Sequence, residues 1–106
     1  MAGTIAITEN DRWSVASWAY HWVLDYLINH ASDPETVAEL TEIDENNLGW
    51  VEIHEFPAAA REELLRLIVD EVVPDAERRL LPENSDRESA IDVIRDLRAL
   101  AAKHRR

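Results

Sequence analysis

Residues 13–31 read WSVASWAYHWVLDYLINHA, and the spacing of their apolar side chains decides the fold class. Trp13, Ala16, Tyr20, Val23, Leu24, Leu27, Ile28 and Ala31 recur at intervals of three and four, which is one face of an α-helix. Val15, Ala19, Trp22 and Tyr26 form a second stripe beside the first. Only Ser14, His21, Asp25 and Asn29 remain as a polar strip, with Trp18 at its border. A helix apolar over so much of its circumference sits at the centre of a fold or offers one side to a partner. Thr8-Glu9-Asn10-Asp11 just upstream is rich in capping residues, and places the helix start near Trp13.

Working outward, the flanks supply more helices and few strands. Thr4-Ile5-Ala6-Ile7-Thr8 and Trp50-Val51-Glu52-Ile53-His54 alternate polar and apolar, and leave room for a minor two-stranded β element at residues 4–8 and 50–54. Ser32-Asp33-Pro34-Glu35 is a helix start with a capping side chain, a first-turn proline and an early acid. The short polar helix that follows, to about Ile43, has Val37, Leu40 and Ile43 as its apolar contacts. A third helix is expected from about Ala58 to Val73, where Pro74 ends or kinks it, with a further turn or two before Pro82. Ser85-Asp86-Arg87-Glu88 is a capping-box pattern opening the last helix, with Ile91, Ile94, Leu97, Leu100 and Ala101 inward. The reading is a mainly α, four-helix compact domain over residues 1–106. A chain of 106 residues with 46% apolar composition fits one core.

Charge narrows the function classes. The net charge is −11 and its distribution is lopsided. Residues 1–56 hold eleven acidic residues and one base, Arg12, a net −10; residues 57–106 hold eleven acids and ten bases, a net −1. Between Asp33 and Glu55 stand eight acids and no lysine or arginine. Such a block must face solvent, a cation or a basic partner, because burying unpaired carboxylates costs too much. It argues against nucleic acid and anionic membrane surfaces as ligands, since phosphates are repelled. The chain has no cysteine, which excludes disulfides and thiolate chemistry and fits a reducing, cytoplasmic setting. Its opening MAGTIAITEND lacks the basic and apolar regions of a secretory leader, and no run approaches ~18 apolar residues.

Residues 44–56 carry the sharpest local pattern: Asp44-Glu45-Asn46-Asn47-Leu48-Gly49-Trp50-Val51-Glu52-Ile53-His54-Glu55-Phe56. It resembles the calcium loop of the EF-hand family, over this loop and its immediate flanks only. The resemblance implies Asp44 and Asn46 at the first and third ligand positions, and Gly49 at the sharp turn. It further implies the Trp50 carbonyl at the seventh, Glu52 holding a water at the ninth, and Glu55 as the twelfth, bidentate ligand. Leu48 stands where the family has an oxygen ligand, and no second loop follows. The alternative is an Asn-Asn-Leu-Gly turn between a polar helix and a strand.

No constellation points to catalysis. His21 and Asp25 are one turn apart and His54 lies between Glu52 and Glu55, but HExxH and paired ExxH spacings are missing. GxSxG and Gly-rich phosphate loops are missing too. The expectation is a non-enzymatic acidic protein-binding domain for a basic partner such as a toxin, in physical character like bacterial immunity proteins and inhibitors of nuclease toxins. Glu35, Glu39, Glu42, Asp44, Glu45 and Glu52 are the expected partner contacts, with Trp18 and Trp22 as aromatic anchors. Two further readings stay open: a calcium-binding domain using residues 44–55, and a small-molecule binder with a Trp-lined groove. A homodimer through the first helix is compatible with all three.

Overall fold

The computed structural model describes residues 2–46, 48–79 and 87–104, and the side chains of all of these except Ala2 and Arg87. The chain is mainly helical, with a small sheet packed on one side by helices. Strand β1 (Ala2–Ala6) forms a hairpin with β2 (Arg12–Ala16), pairing Ile5 with Trp13 and Gly3 with Val15. Strand β3 (Trp50–Glu52) lies parallel to β1 on its other side, so the sheet order is β2-β1-β3. The two segments expected to be extended do pair, and a third strand joins them.

That third strand corrects the expected start of the long helix. Helix α1 begins at Ser17, not near Trp13, and runs to His30. Thr8, Asn10 and Asp11 cap no helix; they make the hairpin turn instead. The Thr8 hydroxyl accepts the backbone N–H groups of Asn10 and Asp11, and Ile7 N donates to Asp11 O at 2.9 Å. Short polar side chains that bind nearby backbone suit both uses. Tertiary pairing decides between them: Trp13 alternates with exposed Ser14 and joins Ile5 and Val51 on the buried face of the sheet.

Helix α1 buries Ala19, Tyr20, Val23, Leu24, Tyr26 and Leu27, and seats Tyr20 on Gly3. A Cβ at position 3 would lie 2.2 Å from Tyr20 Cγ, so only glycine lets the ring approach the strand backbone. Helix α2 (Pro34–Glu45) starts with Pro34 in its first turn, and the Asp33 carboxylate accepts the hydroxyl of buried Thr36 at 2.8 Å. It then turns through Gly49, whose φ of 68° favours glycine. Gly49 O accepts Thr4 N at 2.9 Å and delivers the chain into β3.

A single 3-10 turn, Ile53–Glu55, leads through Pro57 to α3 (Ala58–Leu67). Pro74 does not end the third helix. The chain passes through a π-helical turn, Ile68–Val72, into α4 (Val73–Arg79). In a regular helix the Pro74 ring would collide with the Asp70 carbonyl, and the widened turn just before it relieves that conflict. Helix α5 (Arg87–Ala102) buries Ile91, Ile94, Leu97 and Ala101, as its spacing predicts. The further turns expected before Pro82 form as α4, while their last residues, Leu80 and Leu81, and Ser85 and Asp86 of the capping-box pattern lie outside the described residues. The Trp13 indole N–H donates to Val93 O at 2.9 Å, and His104 Nε2 lies 2.6 Å from Asp11, so α5 is tied to the hairpin at two points. That bond to His104 holds the Asp11 carboxyl below its usual range. All elements share one cluster of buried side chains, and no helix among the described residues is long and apolar enough to cross a membrane.

The Gly3–Tyr20 contact gives a direct test. Gly3→Ala is expected to destabilise the fold by about 1–3 kcal/mol, the cost of overpacking a filled site. Chemical denaturation measures it, and an unchanged midpoint would show that the ring does not rest on this backbone.

Candidate functional site

Helix α2 is held by a narrow apolar edge and turns the rest of itself outward. Leu40 and Thr36 are buried, while Val37 and Ile43 are half-buried. On the opposite side Glu35, Glu39, Glu42 and Glu45 are all exposed, at spacings of three and four that bring them onto one ridge. Among the described residues none of these four has an ion-pair partner.

Four arginines of the second half, Arg66, Arg78, Arg79 and Arg95, are engaged elsewhere. Arg66 meets Glu71 at 2.7 Å, Arg78 and Arg79 flank the buried carboxylate of Asp75 at 3.6 and 3.5 Å, and Arg95 bridges Glu77 and Asp92. Those carboxylates all belong to the second half. Helix α2 is fixed by polar contacts of a different kind. At its start, Ser32 donates its N–H and hydroxyl to the two carboxylate oxygens of Glu63, at 2.9 and 2.6 Å. These bonds hold the Glu63 carboxyl below its ordinary value. At its end, Asp44 Oδ1 lies 3.1 Å from His21 Nδ1 of α1. His21 therefore pairs with Asp44 and not with Asp25, its neighbour on the same helix.

The aromatic stripe of α1 divides into three environments. Trp18 is 49% exposed at the first turn of α1. Trp22 is half-buried, with the Arg79 guanidinium 4.8 Å above its ring, and its buried indole nitrogen has no hydrogen-bond partner among the described residues. Tyr26 belongs to the core and donates its hydroxyl to Glu71 at 2.9 Å. Leu48 and Trp50, at 62% and 38%, are the other exposed large hydrophobics among the described residues. Strand register brings these groups to one end of the sheet. Trp18 follows Ala16, which pairs with Ala2, and Leu48 precedes Gly49, which bonds to Thr4. The C-terminus of α2 lies at this same end, since Leu48 N donates to Ile43 O. Arg12, the one base of residues 1–56, reaches across the open face of the sheet to within 5.0 Å of the Trp50 ring.

The residues of the calcium-loop pattern have contacts of their own. Asp44 faces His21, and the Asn46 side-chain amide donates to Glu42 O at 2.9 Å. Glu52 and Glu55 instead converge with His54, with one donor atom from each within 4.8 Å of the others. His54 stands between the two acids in sequence, outside the ligand positions that the calcium-loop pattern implies. The chain leaves β3 at Glu52 and enters the 3-10 turn Ile53–Glu55 at once, so all three donors come from one compact stretch.

Tyr26 yields a pH test. Burial, then the hydrogen bond to Glu71, push its hydroxyl up to about 12 from an ordinary value of 10.0. The folded state thus holds the proton more tightly, so this stabilisation is complete below pH 10 and is lost as pH rises towards 12. Tyr26→Phe should remove that share of the alkaline loss of stability between those values. An identical alkaline transition in the variant would mean that Tyr26 ionises freely in the fold.

Compared with protein-family models, with curated proteins and with solved structures, the chain matches none of them.

Proposed function

We propose that this chain is a non-enzymatic acidic protein-binding domain of the immunity or inhibitor kind, which docks a basic protein such as a toxin on the outer ridge of α2. One observation carries the reading: Glu35, Glu39, Glu42 and Glu45 stand exposed in a row, without a cation partner among the described residues. Neighbouring like charges three or four apart on a helix cost roughly 0.2–0.5 kcal/mol per pair. The ridge contains three such successive pairs, so the fold carries a repulsion that a cationic partner would relieve.

The surroundings support a docking role. Exposed acids give a steered encounter and discrimination by sign, but little affinity of their own. Affinity needs a desolvated anchor, and the half-exposed indole of Trp18 stands one helical turn from the His21–Asp44 pair at the end of the ridge. Asp44, Glu45 and Leu48 surround the same end of α2. Glu52 lies on β3, and Trp22 is partly withdrawn beneath Arg79, so both are secondary contacts.

The test uses a basic protein recovered on the immobilised full chain. The expected result is an association rate that falls steeply with salt, and falls by about tenfold or more in Glu39→Lys/Glu42→Lys. Trp18→Ala should act mainly on dissociation. A partner whose binding ignores both salt and the double charge reversal would overturn the reading.

A further inference from the structure

We propose that Glu52, His54 and Glu55 form a binding site for a divalent transition-metal ion of the zinc class, separate from the acidic ridge of α2. One donor atom from each of the three residues lies within 4.8 Å of the other two. The grouping follows from local geometry. Glu52 ends β3 and directly precedes the 3-10 turn Ile53–Glu55, so the three side chains come from one short, compact stretch of chain. Ile53 is buried between them and anchors the turn to the core.

The state of the imidazole is the second, independent observation. His21 Nδ1 is 3.1 Å from Asp44, His30 Nδ1 is 2.9 Å from Tyr26 O, and His104 Nε2 is 2.6 Å from Asp11. His54 alone makes no ring hydrogen bond among the described residues, although its Nε2 is buried. A buried polar atom left without a partner is costly, and metal coordination is one of the few ways to satisfy a neutral imidazole. The carboxylates are likewise available. Arg61 reaches this turn but donates to the His54 carbonyl oxygen at 3.4 Å, and neither Glu52 nor Glu55 has a cation partner among the described residues.

The donor set selects the ion. One imidazole nitrogen and two carboxylates suit zinc and its neighbours, whereas calcium needs six or more oxygens. Tetrahedral zinc, with bonds of about 2.0–2.2 Å, sets its donors roughly 3.4 Å apart. Binding therefore requires the donors to draw closer than their 4.8 Å grouping, a movement for which the exposed Glu55 side chain is free of core packing.

The experiment titrates the full chain with Zn²⁺ and, separately, with Ca²⁺, by calorimetry and by NMR of the four imidazoles. The expected outcome is one Zn²⁺ per chain, with the His54 resonances shifting and those of His21, His30 and His104 unmoved. His54→Ala and Glu55→Gln should each weaken Zn²⁺ binding by about tenfold or more, and His21→Ala should leave it unchanged. Glu55 is exposed, so its variant keeps the test valid if His54→Ala fails to fold. Absence of Zn²⁺ binding at about 1 mM, affinity indifferent to both variants, or equal affinity for Ca²⁺ would overturn the proposal.

Discussion

The placement of Tyr20 on the bare backbone of Gly3 is the constraint from which the rest of the architecture follows. It brings the central helix into direct contact with the central strand, closer than any side chain at position 3 would permit. With α1 fixed there, its two flanks face different neighbours. The His21 side meets α2 at Asp44, and the Trp22 side meets α4 at Arg79. Trp18, Asp25 and Asn29 are left pointing to solvent between them. The hairpin secured by the same contact carries Trp13 to α5, whose Val93 carbonyl accepts the indole N–H. Sheet, central helix and C-terminal helix are thereby locked into one core.

The charges separate along the same lines. Arg66, Arg78, Arg79 and Arg95 pair with carboxylates of the second half, and Arg12 lies over Trp50. Glu35, Glu39, Glu42 and Glu45 of α2 have no such arrangement among the described residues. They belong to a helix whose attachment relies on Leu40, on the Ser32–Glu63 and Asp33–Thr36 bonds at its start, and on the His21–Asp44 pair at its end. Evenly spaced like charge on a lightly attached helix is poor design for stability alone. It is intelligible as a surface kept ready for an opposite charge.

Much of this was legible in the residues. The helices announced themselves through apolar spacing, because each buries one stripe against a single core and the 3.6 period survives in the sequence. The exposure of the α2 acids followed from the cost of burying them. The second strand was hidden for a physical reason: Trp13-Ser14-Val15-Ala16 runs without a break into helix, and the turn before it uses the same residues as a helix cap. At Pro74 the spacing left an end or a kink open, and the π-helical turn that settles it leaves no mark in composition. The gathering of His54 with Glu52 and Glu55 depends on a 3-10 turn, and the Tyr26–Glu71 bond spans 45 residues. Neither spacing nor charge count reports contacts of that kind.

The central claim is that the carboxylates of the α2 ridge are not used by the fold itself. The most direct measurement is the stability of Glu39→Gln/Glu42→Gln/Glu45→Gln by denaturation at low and at high salt. These positions lie in the middle and last turn of α2, where negative charge also opposes the helix dipole. The account predicts a variant at least as stable as the parent at low salt, with the difference shrinking towards zero as salt is raised. A variant clearly less stable than the parent at low salt would contradict it, since the acids would then be serving the fold and not a partner.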